Sequence, residues 1–141
     1  MTEPTRGPAP RPCESCPYRR DVPSGIWAAE EYSKLLRWDR PTSEQPMDVF
    51  MCHQQDGRVC AGWVGCHDGR ELLGLRLAVT MGSMAYGEFR KATEYTSPVP
   101  LFASGAEAAA HGLTDIQAPG ENASRLIDKI TAKRTKEDQE R

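Results

Sequence analysis

The stretch "MDVFMCHQQDGRVCAGWVGCHDG", residues 47–69, decides how this chain is read. Met47, Val49 and Met51 recur at period two, a second apolar run covers residues 59–64, and the turn-forming dipeptide Asp56-Gly57 lies between them. That pattern predicts a short β-hairpin with Cys52 on one arm and Cys60 on the other. Side chains on facing arms of a hairpin are neighbours, so the two thiols are expected side by side. His53, one residue on from Cys52, would point to the opposite face of its strand.

Upstream, "PCESCPYRRD" at residues 12–21 carries a second thiol pair, Cys13 and Cys16. A two-residue gap lets both sulfurs of one turn face one ion. Residues 1–11 are proline-rich without apolar periodicity, and are expected to be a disordered, extended tail. A helix is predicted from Ser24 or Gly25 through Trp38, with Ala28, Tyr32, Leu35 and Leu36 at helical spacing. Downstream of the hairpin, Asp68 is expected to cap a central buried helix that stops at Gly82. A short helix over residues 85–95, an alanine-rich helix between Ser104 and Gly112 and a final amphipathic helix carrying Ala123, Leu126, Ile127 and Ile130 complete the reading. Residues 136–141 are expected to fray. The predicted fold class is α+β: one domain over residues 12–135, with several helices around a short hairpin, stapled by a four-cysteine metal site.

Composition narrows the function. The chain has 141 residues, with 18 Lys and Arg against 20 Asp and Glu, so it lacks the global positive field that gathers nucleic acid or anionic membranes. No stretch approaches the roughly 20 apolar residues of a membrane span, and residues 1–12 hold no apolar run of a secretory signal, which predicts a cytoplasmic protein. Five cysteines are an odd number in a compartment that keeps thiols reduced, which makes metal ligation the leading explanation.

The hairpin geometry selects Cys13, Cys16, Cys52 and Cys60 as the ligand set. Such a site would tie the N-terminal segment to the hairpin. His53, Cys66 and His67 are possible substitutes, because each lies next to the predicted ligands or in the turn before the following helix. The metal is left between two classes. Seven residues between Cys52 and Cys60 depart from the paired CxxC knuckles of a zinc ribbon, while loop-borne cysteines with a following proline, here Pro17, suit an iron–sulfur cluster, 4Fe–4S being a form that four cysteines hold. Arg19, Arg20 and Asp21 are expected to support the site from behind, by pairing and by donating to sulfurs or carbonyls. Trp27, Trp38 and Trp63 are read as core, and His111 as an answer to its helix dipole.

Three blocks, "RPCESCPYRRDVPSGIWAAEEY", "VFMCHQQDGRVCAGW" and "VPLFASGAEAAAHGL", resemble a family of small uncharacterised proteins of actinobacteria and their phages, whose signature runs C-x2-C-P-[WY]-R-x-D, then C-H, then C-A-G. The resemblance implies that Cys13, Cys16, Cys52 and Cys60 are the recurring cysteines, with His53 after the third and the Cys66-His67 pair an extra; it implies no activity. The segments from Cys13 to Pro17 and "GIWAAEE" are also similar to the WhiB-like iron–sulfur regulators. The chain departs from that family in the order of its remaining cysteines and in lacking a strongly basic tail.

Catalytic signatures are missing: there is no Gly-rich phosphate loop, no HExxH and no nucleophile elbow. The expected function is a non-enzymatic metal-binding protein with a regulatory or protein-interaction role. The contrasting readings are a zinc-stapled adaptor for a host protein or nucleic acid, and a thiol oxidoreductase using Cys13 and Cys16.

Overall fold

The computed structural model describes residues 4–52, 54–117 and 119–140. Among them the chain is helical: α1 Ala29–Ser33, α2 Ala61–Cys66, α3 Leu73–Thr80, α4 Tyr86–Thr93, α5 Gly105–Leu113 and α6 Glu121–Glu140, with tighter 3-10 segments at Lys34–Asp39, Thr42–Glu44 and Gly69–Glu71. No β-strand occurs among the described residues, where sheet-type pairing is confined to isolated bridges. The α+β expectation is therefore corrected to a helical fold.

The predicted hairpin shrinks to a single rung. Met51 and Val59 form one antiparallel bridge, flanked by bonds from Cys52 N–H to the Arg58 carbonyl at 2.9 Å and from Cys60 N–H to the Phe50 carbonyl at 2.8 Å. The turn itself is present, with Gly57 at φ 77°, a left-handed conformation that favours glycine. Pairing goes no further for two reasons. Residue Arg6 occupies the other edge of the second arm, its N–H donating to Gly57 at 2.7 Å and its carbonyl accepting from Val59 at 3.1 Å. Past Cys60, the residues Ala61, Gly62, Trp63 and Val64 are all buried. A short run buried on all sides has no period that separates strand from helix, and here it coils into α2.

The proline-rich start is extended, but it lies on the fold. Thr5 bridges to Met84, with its N–H donating to the Ser83 carbonyl at 2.9 Å. Gly7 N–H donates to Glu88 Oε1 at 3.1 Å, and Tyr95 donates its hydroxyl to the Pro10 carbonyl at 3.0 Å. The first predicted helix begins later than expected, because residues 24–27 form a buried loop: Tyr32 turns its hydroxyl back to accept from the N–H groups of Ile26 and Trp27 at 3.0 and 3.1 Å. Downstream, α3 is shorter than predicted and buries one face, through Leu72 at its N-cap, Gly74, Leu75 and Ala78. The centre of the molecule is instead an aromatic cluster. Trp38 meets Phe50 and Trp63 edge-on at 5.1 and 6.0 Å, and Tyr18 meets Phe50 edge-on at 5.9 Å. All three tryptophans are buried.

α5 packs on α1 and the Lys34–Asp39 segment. Asp39 sets its start, accepting from the N–H groups of Gly105 and Ala106 at 2.8 Å each, while Ser104 Oγ accepts from Glu107 N–H at 3.1 Å. Gly112 lies inside this helix, where a Cβ would come within 2.1 Å of the Tyr32 ring. That ring is held at its hydroxyl and cannot give way. Gly112→Ala is thus expected to destabilise by about 2 kcal/mol, overpacking outweighing the roughly 1 kcal/mol gain in helix propensity. The thermal midpoint should fall by roughly 8 °C, as measured by circular dichroism.

Candidate metal centre

The first two thiols sit on a pair of successive turns. Cys16 N–H donates to the Cys13 carbonyl at 3.0 Å, and Arg19 N–H to the Cys16 carbonyl at 3.1 Å. These bonds fold the CxxC so that both side chains leave it towards α2 and the 52–58 turn. On the other side, the Met51–Val59 register sets Cys52 across from Arg58 and Cys60 across from Phe50. The two thiols are consequently diagonal neighbours on one face of the bridge and do not face each other directly.

Four sulfurs result in a string of contacts. The Cys13 thiol is electrostatically coupled to those of Cys16 and Cys52, and the sulfurs of Cys16 and Cys60 stand 3.8 Å apart. Cys16 and Cys60 are buried, whereas Cys13 and Cys52 are half-exposed. Among the described residues, no three or more Cys, His, Asp or Glu side chains are placed so that they could hold a metal ion as they stand. The room for the string is made by Gly62 in α2. A Cβ there would come within 2.3 Å of Cys16 Sγ and 2.8 Å of Tyr18 Cβ, so the first turn of α2 can pass the thiols only as glycine.

Crowding shapes the protonation of the cluster. The bond to Cys16 holds the Cys13 thiol above its ordinary range, against an opposing bond from Cys52. At Cys16 the bond from Cys13 lowers the pKa, but the bond to Cys60 and burial outweigh it and drive it well up. The Cys52 thiol is raised by its bond to Cys13 and by burial. These sulfurs resist ionising next to one another, and a bound cation is the agent that reverses such a preference.

The remaining candidates stand apart from the string. Cys66, at the end of α2, has its pKa pushed up to about 12 by burial and by the charges of Asp39 and Glu107. His67 has both ring nitrogens engaged, Nδ1 at 2.8 Å from the Trp63 carbonyl and Nε2 at 3.1 Å from Asp39 Oδ1. His53 lies outside the described residues. Arg19 grips Asp21 with two bonds at 2.8 and 2.7 Å and donates to the Pro12 carbonyl at 3.1 Å, bracing the CxxC from behind. Arg20 does not join it; its guanidinium lies 5.2 Å from the Phe102 ring centroid. His111, placed by sequence as a dipole partner, bonds to the Val22 carbonyl at 2.7 Å.

Two polar residues at the site were missed in the sequence. Ser15 lies between the first two cysteines and is fully buried, and Gln54 donates to its hydroxyl at 2.7 Å. A hydroxyl enclosed between two candidate ligands was a usable signal. The burial that gives it importance was not legible.

Comparison with known proteins places this arrangement in a family. The sequence profile of a family of unknown function, DUF6283, matches residues 8–134. The chain belongs to DUF6283. That match takes in all five cysteines and every helix up to residue 134 of α6. No curated protein and no solved structure matches this DUF6283 chain.

Proposed function

We propose that this chain is a metal-binding protein in which Cys13, Cys16, Cys52 and Cys60 hold a single zinc ion, and that the ion fastens the N-terminal segment to α2. The observation that carries the reading is the 3.8 Å between the sulfurs of Cys16 and Cys60. A tetrahedral zinc site with Zn–S bonds of about 2.3 Å has an S···S edge of about 3.8 Å. A 4Fe–4S cluster binds its four thiolates at four separate irons, which spreads the sulfurs beyond contact with each other. The donor set is compatible with this choice: four sulfurs and no open position is a composition of structural zinc sites, which 4Fe–4S clusters share. Closing the string around an ion requires the side chains of the two half-exposed thiols, Cys13 and Cys52, to turn inward.

Protonation disfavours the oxidoreductase reading. Cys13 is the thiol of the pair a substrate could reach, and its neighbours and burial hold it above its ordinary range, whereas a CxxC pair that exchanges disulfides needs a readily ionised thiolate. A stapled module of this kind works by presenting a surface. A protein partner fits the net charge of −2 better than nucleic acid does.

Elemental analysis of the purified chain tests the proposal. One zinc per chain, lost in Cys16→Ser and in Cys60→Ser but retained in Cys66→Ser, is the expected result. A brown protein containing iron and acid-labile sulfide would replace zinc by a cluster, and a metal-free chain that folds normally would remove the metal reading.

A further inference from the structure

Ser15 and Gln54 connect the two ligand-bearing segments without any metal. Ser15 is 0 % exposed, and its backbone carbonyl accepts from Trp27 Nε1 at 2.9 Å, which fixes the residue inside the CxxC turn. Its hydroxyl has two partners: Gln54 Nε2 at 2.7 Å and Cys13 Sγ at 3.8 Å. The proton inventory gives this triad a direction. An amide nitrogen only donates, so Ser15 Oγ accepts from Gln54 and keeps its own proton for another acceptor. Burial removes water as that acceptor and leaves the Cys13 sulfur. A thiol could answer either way, but a metal-bound thiolate can only accept.

We infer that Gln54 and Ser15 are positioning residues of the thiol site, forming a one-way relay, Gln54 to Ser15 to Cys13, that delivers a hydrogen bond to Cys13 as a thiolate. The inference rests on the four-cysteine reading and adds what sets the strength of its half-exposed edge. Hydrogen bonds of this kind orient a ligand and steady its charge, and their removal ordinarily costs tenfold to a hundredfold in metal affinity.

The test uses the full chain, with zinc affinity measured by competition against a chromogenic chelator and the ligand field followed in the cobalt-substituted protein. Gln54→Ala and Ser15→Ala should each weaken zinc about tenfold and shift the cobalt–thiolate absorption. Gln54→Glu should weaken it more, nearer a hundredfold, because the carboxylate accepts the Ser15 proton and turns it away from Cys13. Gln54 is half-exposed and glutamate is nearly its isostere, so this variant folds; a thermal melt of each apo chain checks that. On a Ser15→Ala background, Gln54→Glu should add less than about threefold, since the relay is already cut. An equal loss in both backgrounds, or a Gln54→Glu protein that binds as tightly as wild type, overturns the relay and leaves the four-cysteine site standing. A wild-type chain that binds neither zinc nor cobalt overturns the site itself and the relay with it.

Discussion

Stripping zinc from the loaded chain with a chelator is expected to lower its thermal midpoint by roughly 10 to 20 °C. The size follows from linkage. An ion present at a thousand times its dissociation constant, and bound only by the folded state, contributes about 4 kcal/mol, and each kcal/mol moves the midpoint of a domain of this size by roughly 3 to 5 °C. The loss should be cooperative, because the proposed ligands come from two segments far apart in sequence: Cys13 and Cys16 precede α1, whereas Cys52 and Cys60 precede α2. Acidification should release the metal as well. Each thiol must shed its proton to bind, and crowding raises those of Cys13, Cys16 and Cys52. Metal affinity therefore rises with pH and falls as pH drops. Calorimetry of the loaded and chelated chain at two pH values is the measurement. Unchanged midpoints after verified metal removal would show that the ion holds nothing together.

A second large effect is expected from one methyl group. Gly62→Ala places a carbon where Cys16 Sγ and Tyr18 already stand, at 2.3 and 2.8 Å. Neither can retreat, since both residues are 0 % exposed. Overpacking costs about 1 to 3 kcal/mol; with the thiol displaced, zinc affinity should fall by tenfold or more. The same substitution at Gly87 in α4, where a Cβ meets nothing within 4 Å, should raise stability by about 0.5 kcal/mol through helix propensity. Opposite signs for one chemical change in two helices would locate the penalty at the thiols. Should Gly62→Ala bind and melt like wild type, the cradle would not be built as described.

That these four thiols come near one another was legible in the sequence because spacing and turn chemistry are local. Cys13 and Cys16 share one turn, and Asp56-Gly57 brings Cys52 and Cys60 to one face even though only a single rung of hairpin forms. The zinc-ribbon objection, seven residues between Cys52 and Cys60, loses its force once that turn is seen to fold them back. What was not legible is long-range. The anchoring of Thr5, Arg6 and Gly7 is made largely by backbone groups bonding to Ser83, Gly57 and Glu88, and a proline-rich segment carries no side-chain pattern that announces it. Residues 61–64 read as a strand because apolar runs have no period, and the alternative to coiling vanished when Arg6 filled the neighbouring edge. His67 was a possible substitute ligand beside Cys66, with a hydrogen-bonded imidazole the favoured reading. Asp39, 28 residues away in sequence, holds it elsewhere.

Several of the deepest positions of this molecule lie in its connections. Ser15, Cys16, Tyr18 and Val59 are all 0 % exposed, and none of them belongs to a helix. Anyone splicing a tag or fluorophore into such a chain would ordinarily choose the links between helices, because those links usually run over the surface. Here that habit would disrupt the interior in the segments before α1 and α2. The hospitable places are on or beside helices, at Gly87 in α4 and at Gly120 just before α6, where an added side chain meets open space.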